Sequence, residues 1–496
     1  LQYRYRYNKV ERIFNTRLMS YKRKKTKIVA TLGPAINTKK MLLDLIAAGV
    51  NVFRINFSHA DYSEVENNIK HIREINHAHG YNAAILADLQ GPKLRVGVMK
   101  DDVILSAGDE IIFETGKRFE GTKDRVYMTY DLFPKDAKPG EQILLDDGKL
   151  IFEIISTNKT NKVKTKVIQG GALKSKKGVN LPNTKISQPA LTEKDKKDAL
   201  FAISQEVDWM ALSFVRTAKD LHELQEIIAK NSSYKIPIIA KIEKPEAVEN
   251  IDSIITSCDG LMVARGDLGV EIAAQEVPLI QKQLVLRAKK ARIPVIIATQ
   301  MMESMIESMT PTRAEVNDVA NSVMDGADAV MLSGETSIGK YPIEVIQKMS
   351  DIIKSVEDSD LIHVPQTHPH IKTKRYITKS ICYHAAHMAN QINARGISTL
   401  TNSGYTAFQI SAWRPKAHIL VYSSNKRIIS QLNLLWGVRA FYYDKFVSTD
   451  ETLEDVNKMA LEKGYLEPGD MVISLAAMPI HEKGMVNTLR VNEVKA

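Results

Sequence analysis

The sequence predicts an α/β protein: a (β/α)8 TIM barrel with an inserted all-β lid domain and a C-terminal α/β open-sheet domain. Three observations carry that expectation. Eight short apolar runs each end in a polar or charged residue, with helical patterns between most of them. One interval is far too long: 120 residues separate Asp88 from Trp209, where a barrel crossover needs about 30. A further set of runs past residue 395 alternates again with helical patterns.

The eight runs lie at 27–31, 52–56, 84–88, 209–213, 237–241, 260–263, 294–299 and 329–333. A continuous run such as Ile238-Ile239-Ala240 fits a strand buried on both faces. Between them, Met41, Leu42, Leu43, Leu45 and Ile46 share one helical face, and so do Val65, Ile69, Ile72 and Ile75. Thr310-Pro311 predicts a helix start, with a hydroxyl cap and a proline at the first position.

The long interval has β texture. Runs at 101–105, 110–113, 142–145 and 151–155 are punctuated by Gly108, Gly116, Gly121, Gly140 and Gly148. Asp146-Asp147-Gly148-Lys149 reads as a hairpin tip. Residues 92–189 are therefore expected to form a β domain hinged at Pro92 and Pro189, leaving from the catalytic end of the barrel as a lid. The barrel takes 25–91 and 190–362. A His/Pro stretch at 363–370 opens a regulatory domain over 363–496, with runs at 396–401, 418–422, 438–443 and 471–476.

The chain has 496 residues, 44% hydrophobic and 25% charged, too long for one core. No apolar run is of membrane-spanning length, so no membrane partner is expected. Cys258 and Cys382 are the only cysteines, which fits a reducing, cytoplasmic setting. The net charge is +10, but residues 1–27 hold ten bases and one acid. A basic extension over 1–24 on a near-neutral body is weak support for nucleic-acid binding, and none is expected. Met19 is read as the natural start, with an organellar transit peptide as the other reading of residues 1–18.

A barrel places its site at the C-terminal strand ends. Those ends carry Arg54 to His59, Asp88, Lys241 with Glu243, Arg265-Gly266-Asp267, Thr299, and Ser333-Gly334-Glu335. Glu243 and Asp267, on neighbouring strand ends, are the oxygen ligands a divalent cation needs. Lys241 beside them is the charge clamp a transferring phosphoryl group needs. Any one of these has a bland reading as a solvated edge, a turn or a cap. Their joint placement on six strand ends does not.

With these motifs the chain resembles the pyruvate kinase family. The stretches that carry the resemblance are 26–34, 53–59, 88–95, Lys241-Ile242-Glu243, 262–269, 298–305, 311–315 and 325–336. It covers the chain from about Lys25 to its end. It implies phosphoryl transfer from phosphoenolpyruvate to ADP, giving pyruvate and ATP, the last step of glycolysis, by a homotetramer. It implies Mg²⁺ (or Mn²⁺) on Glu243 and Asp267, Lys241 and Arg54 on the phosphoryl group, and substrate oxygens on the N–H groups of Gly266 and Asp267. Thr299 is implied in protonating the enolate, through a water relay with Ser333 and Glu335. Asn56, His59, Arg95 and Lys177 are implied at the nucleotide, with Lys177 supplied by the lid.

Asn56, Ser58, Asp88 and the Leu89 carbonyl match the family's potassium site. Family members often have Glu where this chain has Lys93. A lysine there implies that its ammonium replaces K⁺, so that potassium is not required. Ala60 stands where glycine usually follows the histidine. Thr401, Asn402, Ser403, Gly404, Tyr405 and Thr406 match a loop for an allosteric effector phosphate, while the second effector loop is altered at 476–484.

Two rival classes are weighed. Gly334 to Lys340 fits most of a P-loop, but Tyr341 and Pro342 follow where Mg²⁺ needs Ser or Thr. A nucleic-acid-binding protein using the basic segment leaves the charged strand ends unexplained.

Overall fold

The computed structural model describes residues 24–495, apart from 102, 360, 363, 365, 371–374, 446–447 and 479–484. The Met19 start, the basic segment up to Arg23 and most of the altered loop at 476–484 lie outside the described residues. In the His/Pro stretch, 364 and 366–370 are described and carry no helix or strand.

In chain order the barrel begins with β1 (Lys27–Thr31), β2 (Val52–Asn56) and β3 (Ala84–Asp88). The inserted domain supplies β4 (Val103–Leu105), β5 (Glu110–Glu114), β6 (Arg125–Tyr127), β7 (Gln142–Leu145), β8 (Leu150–Thr157), β9 (Lys162–Gln169), β10 (Gly171–Leu173) and β11 (Val179–Asn180). The barrel resumes with β12 (Trp209–Leu212), β13 (Ile238–Ile242), β14 (Gly260–Ala264), β15 (Val295–Ala298) and β16 (Ala329–Leu332). These eight strands close in the order β1-β16-β15-β14-β13-β12-β3-β2, each pair parallel. The eight apolar runs are the eight staves. Their fully buried residues explain the unbroken runs: inner faces fill the barrel, outer faces pack on helices.

The helix Tyr62–His79 buries Val65, Ile69, Ile72 and Ile75, and the helix Lys39–Ala48 buries Leu42, Leu45 and Ile46. The expected start at Thr310-Pro311 is displaced by two residues. The helix is Arg313–Met324, capped by Thr312. Thr312 Oγ1 accepts from Glu315 N at 3.2 Å, and Glu315 Oε2 accepts from Thr312 N at 2.7 Å. That reciprocal box satisfies two end donors, where a lone hydroxyl satisfies one.

The inserted domain is a six-stranded sheet, β11-β7-β8-β9-β5-β6, beside the pair β10-β4. Its core is separate from the barrel's and centres on Phe113, Phe133 and Phe152 in edge-to-face contact. Asp146 to Lys149 joins β7 to β8, with Asp146, Asp147 and Gly148 all at positive φ. Both connections are pinned to the barrel. Gly91 N donates to Asp195, and Arg216 donates to the carbonyls of Ile186 and Gln188.

The last domain is an open sheet, β19-β18-β17-β20-β21. It consists of β17 (Gly396–Leu400), β18 (His418–Ser423), β19 (Val438–Tyr442), β20 (Met471–Ala476) and an antiparallel edge β21 (Thr488–Glu493). Its seam with the barrel is charged and dry. Asp328, at the foot of β16, pairs with Lys289 and, at 3.1 Å, with Arg414. All three side chains are 2% exposed. Asp328 Oδ1 also accepts from Trp436 N. Burial raises the Asp328 pKa, but Arg414 and Lys289 outweigh it and hold it below the usual range. Burial, aided by Arg414, pushes Lys289 down to about 7.

The seam also takes in part of the basic stretch. Lys24 is buried and donates to Asn51 Oδ1 at 2.6 Å, and Lys27 is fully buried against the Val438 carbonyl. These lysines belong to the packed body, so the extension stops short of Lys24. Among the described residues no helix is long and apolar enough to cross a membrane.

Removing Asp328 leaves two buried cations unpaired. Asp328→Ala is expected to cost about 3–5 kcal/mol in denaturant unfolding. Lys289→Met removes a charge that burial already disfavours and should cost clearly less. Equal losses in the two variants would refute this reading of the seam.

Candidate active site

The strand ends of the barrel are joined by a chain of buried charge. Arg54, on β2, donates from Nε to Asp88 Oδ2 at 2.6 Å. Asp88, at the end of β3, lies with Oδ1 3.3 Å from Lys241 Nζ. Lys241, on β13, is 2.9 Å from Glu243 Oε1. Register explains the line: Asn56 lies opposite Asp88, and β3, β12 and β13 are consecutive staves. Asp88 and Glu243 are each 1% exposed.

Electrostatics follow from that enclosure. Burial disfavours the Lys241 ammonium, but Asp88 and Glu243 outweigh it and raise its pKa well above the ordinary lysine value. Asp88 is held low by Lys241 and Arg54 against the effect of burial. Glu243 goes the other way: burial raises it, and the neighbouring Asp267 charge adds to that against the pull of Lys241. Two carboxylates that repel one another in a dry site fit a divalent cation. No group of three or more His, Cys, Asp or Glu residues placed to hold a metal occurs among the described residues.

Asp267 lies on the short helix Arg265–Glu271, which follows β14, the stave beside β13. It lines a cavity of about 810 Å³ with Arg265, Gly266, Gln300 and, from the inserted hairpin tip, Asp147. Gly266 N donates to Thr299 Oγ1 at 2.7 Å, and that hydroxyl donates to the Ala298 carbonyl at 2.6 Å. The Gly266 N–H is thus engaged within the protein. Arg265 braces the turn, pairing with Asp318 and donating to the Thr299 carbonyl. Thr299, Gln300 and Phe214 all hold positive φ at the strand ends, strain of the kind found at functional sites.

No hydrogen bond links Thr299 to Ser333 or Glu335. Glu335 is buried and accepts from Met302 N at 3.1 Å and Ser333 N at 2.7 Å. Both oxygens tie loops together, so Glu335 makes no direct contact with Thr299.

His59, Asn56 and Asp61 line a second cavity of about 360 Å³ with Thr31, Gly33, Asn37 and Ser337. The His59 pKa is lowered, first by burial and then by Lys93, Arg95, Arg54 and Lys194. Those four cations all act on the His59 ring. Arg95 and Lys177 lie at the base of the inserted domain: Arg95 pairs with Gly178 and donates to the Lys176 carbonyl, and Lys177 is 2.9 Å from Asp146.

At the expected potassium set, Asn56 Oδ1 accepts from Ser58 N and the Leu89 carbonyl from Ser213 Oγ. Lys93 is exposed and hydrogen-bonds none of Asn56, Ser58, Asp88 and Leu89. The loop Thr401 to Thr406 opens a seven-residue helix, Tyr405–Ser411, and Thr401 Oγ1 accepts from Gly404 N. It lies in the C-terminal domain, away from the strand ends. Lys340, the P-loop decoy, is exposed and paired with Glu307.

Two strand ends complete the ring beyond the six picked out by charge. Thr31 Oγ1, closing β1, accepts from Arg54 Nη1 at 3.0 Å. Ser213, just past β12, accepts from Lys241 at 2.7 Å, and Phe214 N donates to Glu243 Oε2 at 2.7 Å. The signal available for both was position after an apolar run.

Comparison with known proteins agrees with this geometry. The family model "Pyruvate kinase, barrel domain" matches residues 23–346, and "Pyruvate kinase, alpha/beta domain" matches 379–492. Pyruvate kinase of Corynebacterium glutamicum is 43% identical over 473 residues, covering 95% of this chain and 97% of that protein. Pyruvate kinase of Geobacillus stearothermophilus is 42% identical, covering 95% of this chain and 81% of its own length. The crystal structure of a pyruvate kinase from Cryptosporidium parvum superposes with a TM-score of 0.89 at 32% identity, over 96% of this chain and 97% of that one. The closed barrel, the charged strand ends and this agreement along nearly the whole length place the chain in the pyruvate kinase family, a family of phosphotransferases that use a divalent metal.

Proposed function

We propose that this chain transfers the phosphoryl group of phosphoenolpyruvate to ADP at the ends of β2, β3, β13 and β14, and that Mg²⁺ or Mn²⁺ is held by Glu243 and Asp267. The observation that carries this reading is the enclosed line Arg54–Asp88–Lys241–Glu243. Such transfers need little covalent help from the protein; position and charge do most of the work. A divalent cation there supplies positive charge to the carboxylate and phosphoryl oxygens of the substrate.

The side chains divide the remaining tasks. Lys241 keeps its proton at any physiological pH, so it offers a fixed cation to the phosphoryl group in flight and to the enolate left behind. Its position is set by Asp88, Glu243 and Ser213, which removes the cost of reorganising it during reaction. Arg54 faces the same group from the other side. Thr299 can offer a proton to the enolate carbon only by releasing the Ala298 carbonyl, which suits a water-assisted step. The cations around His59 suit the nucleotide phosphates, and Lys177 reaches them from the inserted domain. The C-terminal loop 401–406 is assigned to an effector phosphate, the enzyme to a homotetramer and its place to the cytoplasm.

A coupled assay with phosphoenolpyruvate, ADP and Mg²⁺ tests the reading. Lys241→Met should lower kcat by about a hundred- to thousandfold, whereas Lys340→Met should leave it within about twofold of wild type, as expected of an exposed surface pair. Loss of turnover with Lys340→Met would favour the P-loop alternative instead.

Lys93 is assigned the role of the monovalent cation. Its ammonium is exposed and free of hydrogen bonds, able to swing toward Asn56, Ser58 and Asp88 when substrate arrives. Turnover in a tetramethylammonium salt should therefore match turnover in KCl at equal ionic strength. Strong activation by potassium would remove this assignment while leaving the rest standing.

A further inference from the structure

Glu271 is another enclosed carboxylate on the strand-end face, and the transfer scheme makes no use of it. It closes the helix Arg265–Glu271 that carries Asp267. Its Oε1 accepts from Lys244 Nζ at 2.6 Å and from Asn180 Nδ2 at 2.9 Å, while its Oε2 is buried without a partner. Lys244 is buried too and directly follows Glu243 in the chain. Asn180 lies on β11, in the inserted domain. One oxygen thus joins three pieces: the inserted domain, the segment bearing Glu243 and the helix bearing Asp267.

A buried Lys–Glu pair is a poor way to gain stability, since an apolar pair of similar size often does as well. What it adds is register and release. A carboxylate with one oxygen shared and the other unsatisfied is easily rehydrated when the domains part. The same cavity wall holds Asp147, Lys93, Phe214 and Asp267, so this contact borders the substrate side of the site.

We propose that Glu271 is a positioning residue that latches the inserted domain to the barrel through Asn180 and holds the Glu243 segment through Lys244. Closure of the domain and the placing of the two metal-binding carboxylates are then one event. The kinetic half of this proposal rests on the phosphotransferase reading; the structural half does not.

Asn180→Ala removes the inserted domain's donor and keeps the Lys244–Glu271 pair, so folding should be preserved. Two readouts apply to the full-length enzyme. Trypsin cleavage at the connections, at Lys93 or Lys185, should accelerate by about fivefold or more as the domain opens locally. The kcat should fall by about tenfold with the KM for phosphoenolpyruvate within about twofold, the signature of a contact made in the closed complex. Glu271→Gln, which keeps an acceptor for both donors, should retain more kcat than Glu271→Ala, and it serves as the test if Asn180→Ala does not fold. Wild-type rates of cleavage and turnover in Asn180→Ala would overturn the latch. So would a loss of kcat that only tracks a lower Tm with cleavage unchanged. Absence of phosphoenolpyruvate-dependent turnover in the wild type would instead overturn the function, and the cleavage rates would still decide the latch.

Discussion

The structure turns on the ion line Arg54–Asp88–Lys241–Glu243, four charges with almost no water. Each member alone is costly to bury, by several kcal/mol per ion. Together they alternate in sign, so Asp88 and Lys241 are each offset by two neighbours and Arg54 and Glu243 by one. The alternation depends on strand order. Arg54 and Asp88 meet because β2 and β3 are adjacent, and Asp88 reaches Lys241 across the intervening stave β12. The closed barrel is what makes such a line possible, because it brings the ends of distant chain segments to one rim.

The line is unbalanced at one end, and that is its chemical use. Glu243 sits beside Asp267 with its pKa raised by burial and by that second carboxylate. Negative charge on Glu243 and Asp267 and positive charge on Lys241 and Arg54 thus meet at one rim. The inserted domain and the C-terminal domain attach on opposite terms. The former meets the rim through polar contacts from Asn180, and its connections are held by Asp195 and Arg216. The latter meets the barrel through the dry cluster Asp328–Lys289–Arg414 and the ring of Trp436. One seam is made by polar contacts and the other by a buried ion cluster.

Much of this was legible in the residues. Strands β1, β2 and β3 have the expected bounds because each is an apolar run with a polar stop. The charged rim was legible for the same reason: a lysine and a glutamate after Ile238-Ile239-Ala240 have no role in a core. What escaped were features without a charge contrast. Thr31 and Ser213 close their strands with hydroxyls, which in a sequence look like caps. Strand β9 escaped because its alternation is written in lysines, Lys162, Lys164 and Lys166, with Val163, Thr165 and Val167 buried between them. A search for apolar runs passes over such a strand, although its period of two is plain. The helix start moved from Thr310 to Thr312 because the capping glutamate lies three residues after the latter.

Charge counting misled in one instructive place. Ten bases before residue 28 suggest a solvated arm, yet Lys24 and Lys27 are among the most enclosed cations in the molecule. Sequence records that a side chain is basic; it does not record whether carbonyl groups wait for it. Lys27 donates to the Val438 carbonyl and Lys24 to the Asn51 amide, contacts between segments hundreds of residues and tens of residues apart. Burial, aided by the Arg439 charge, lowers Lys24 to about 7 and Lys27 well below the ordinary lysine value. The same residue type therefore serves two ends in one barrel. At the foot it is a long hydrogen-bond donor whose charge is suppressed, and at the rim, where Asp88 and Glu243 flank Lys241, it is a permanent cation. At the foot, burial and the nearby Arg439 outweigh Glu357, whereas at the rim two carboxylates in direct contact outweigh burial.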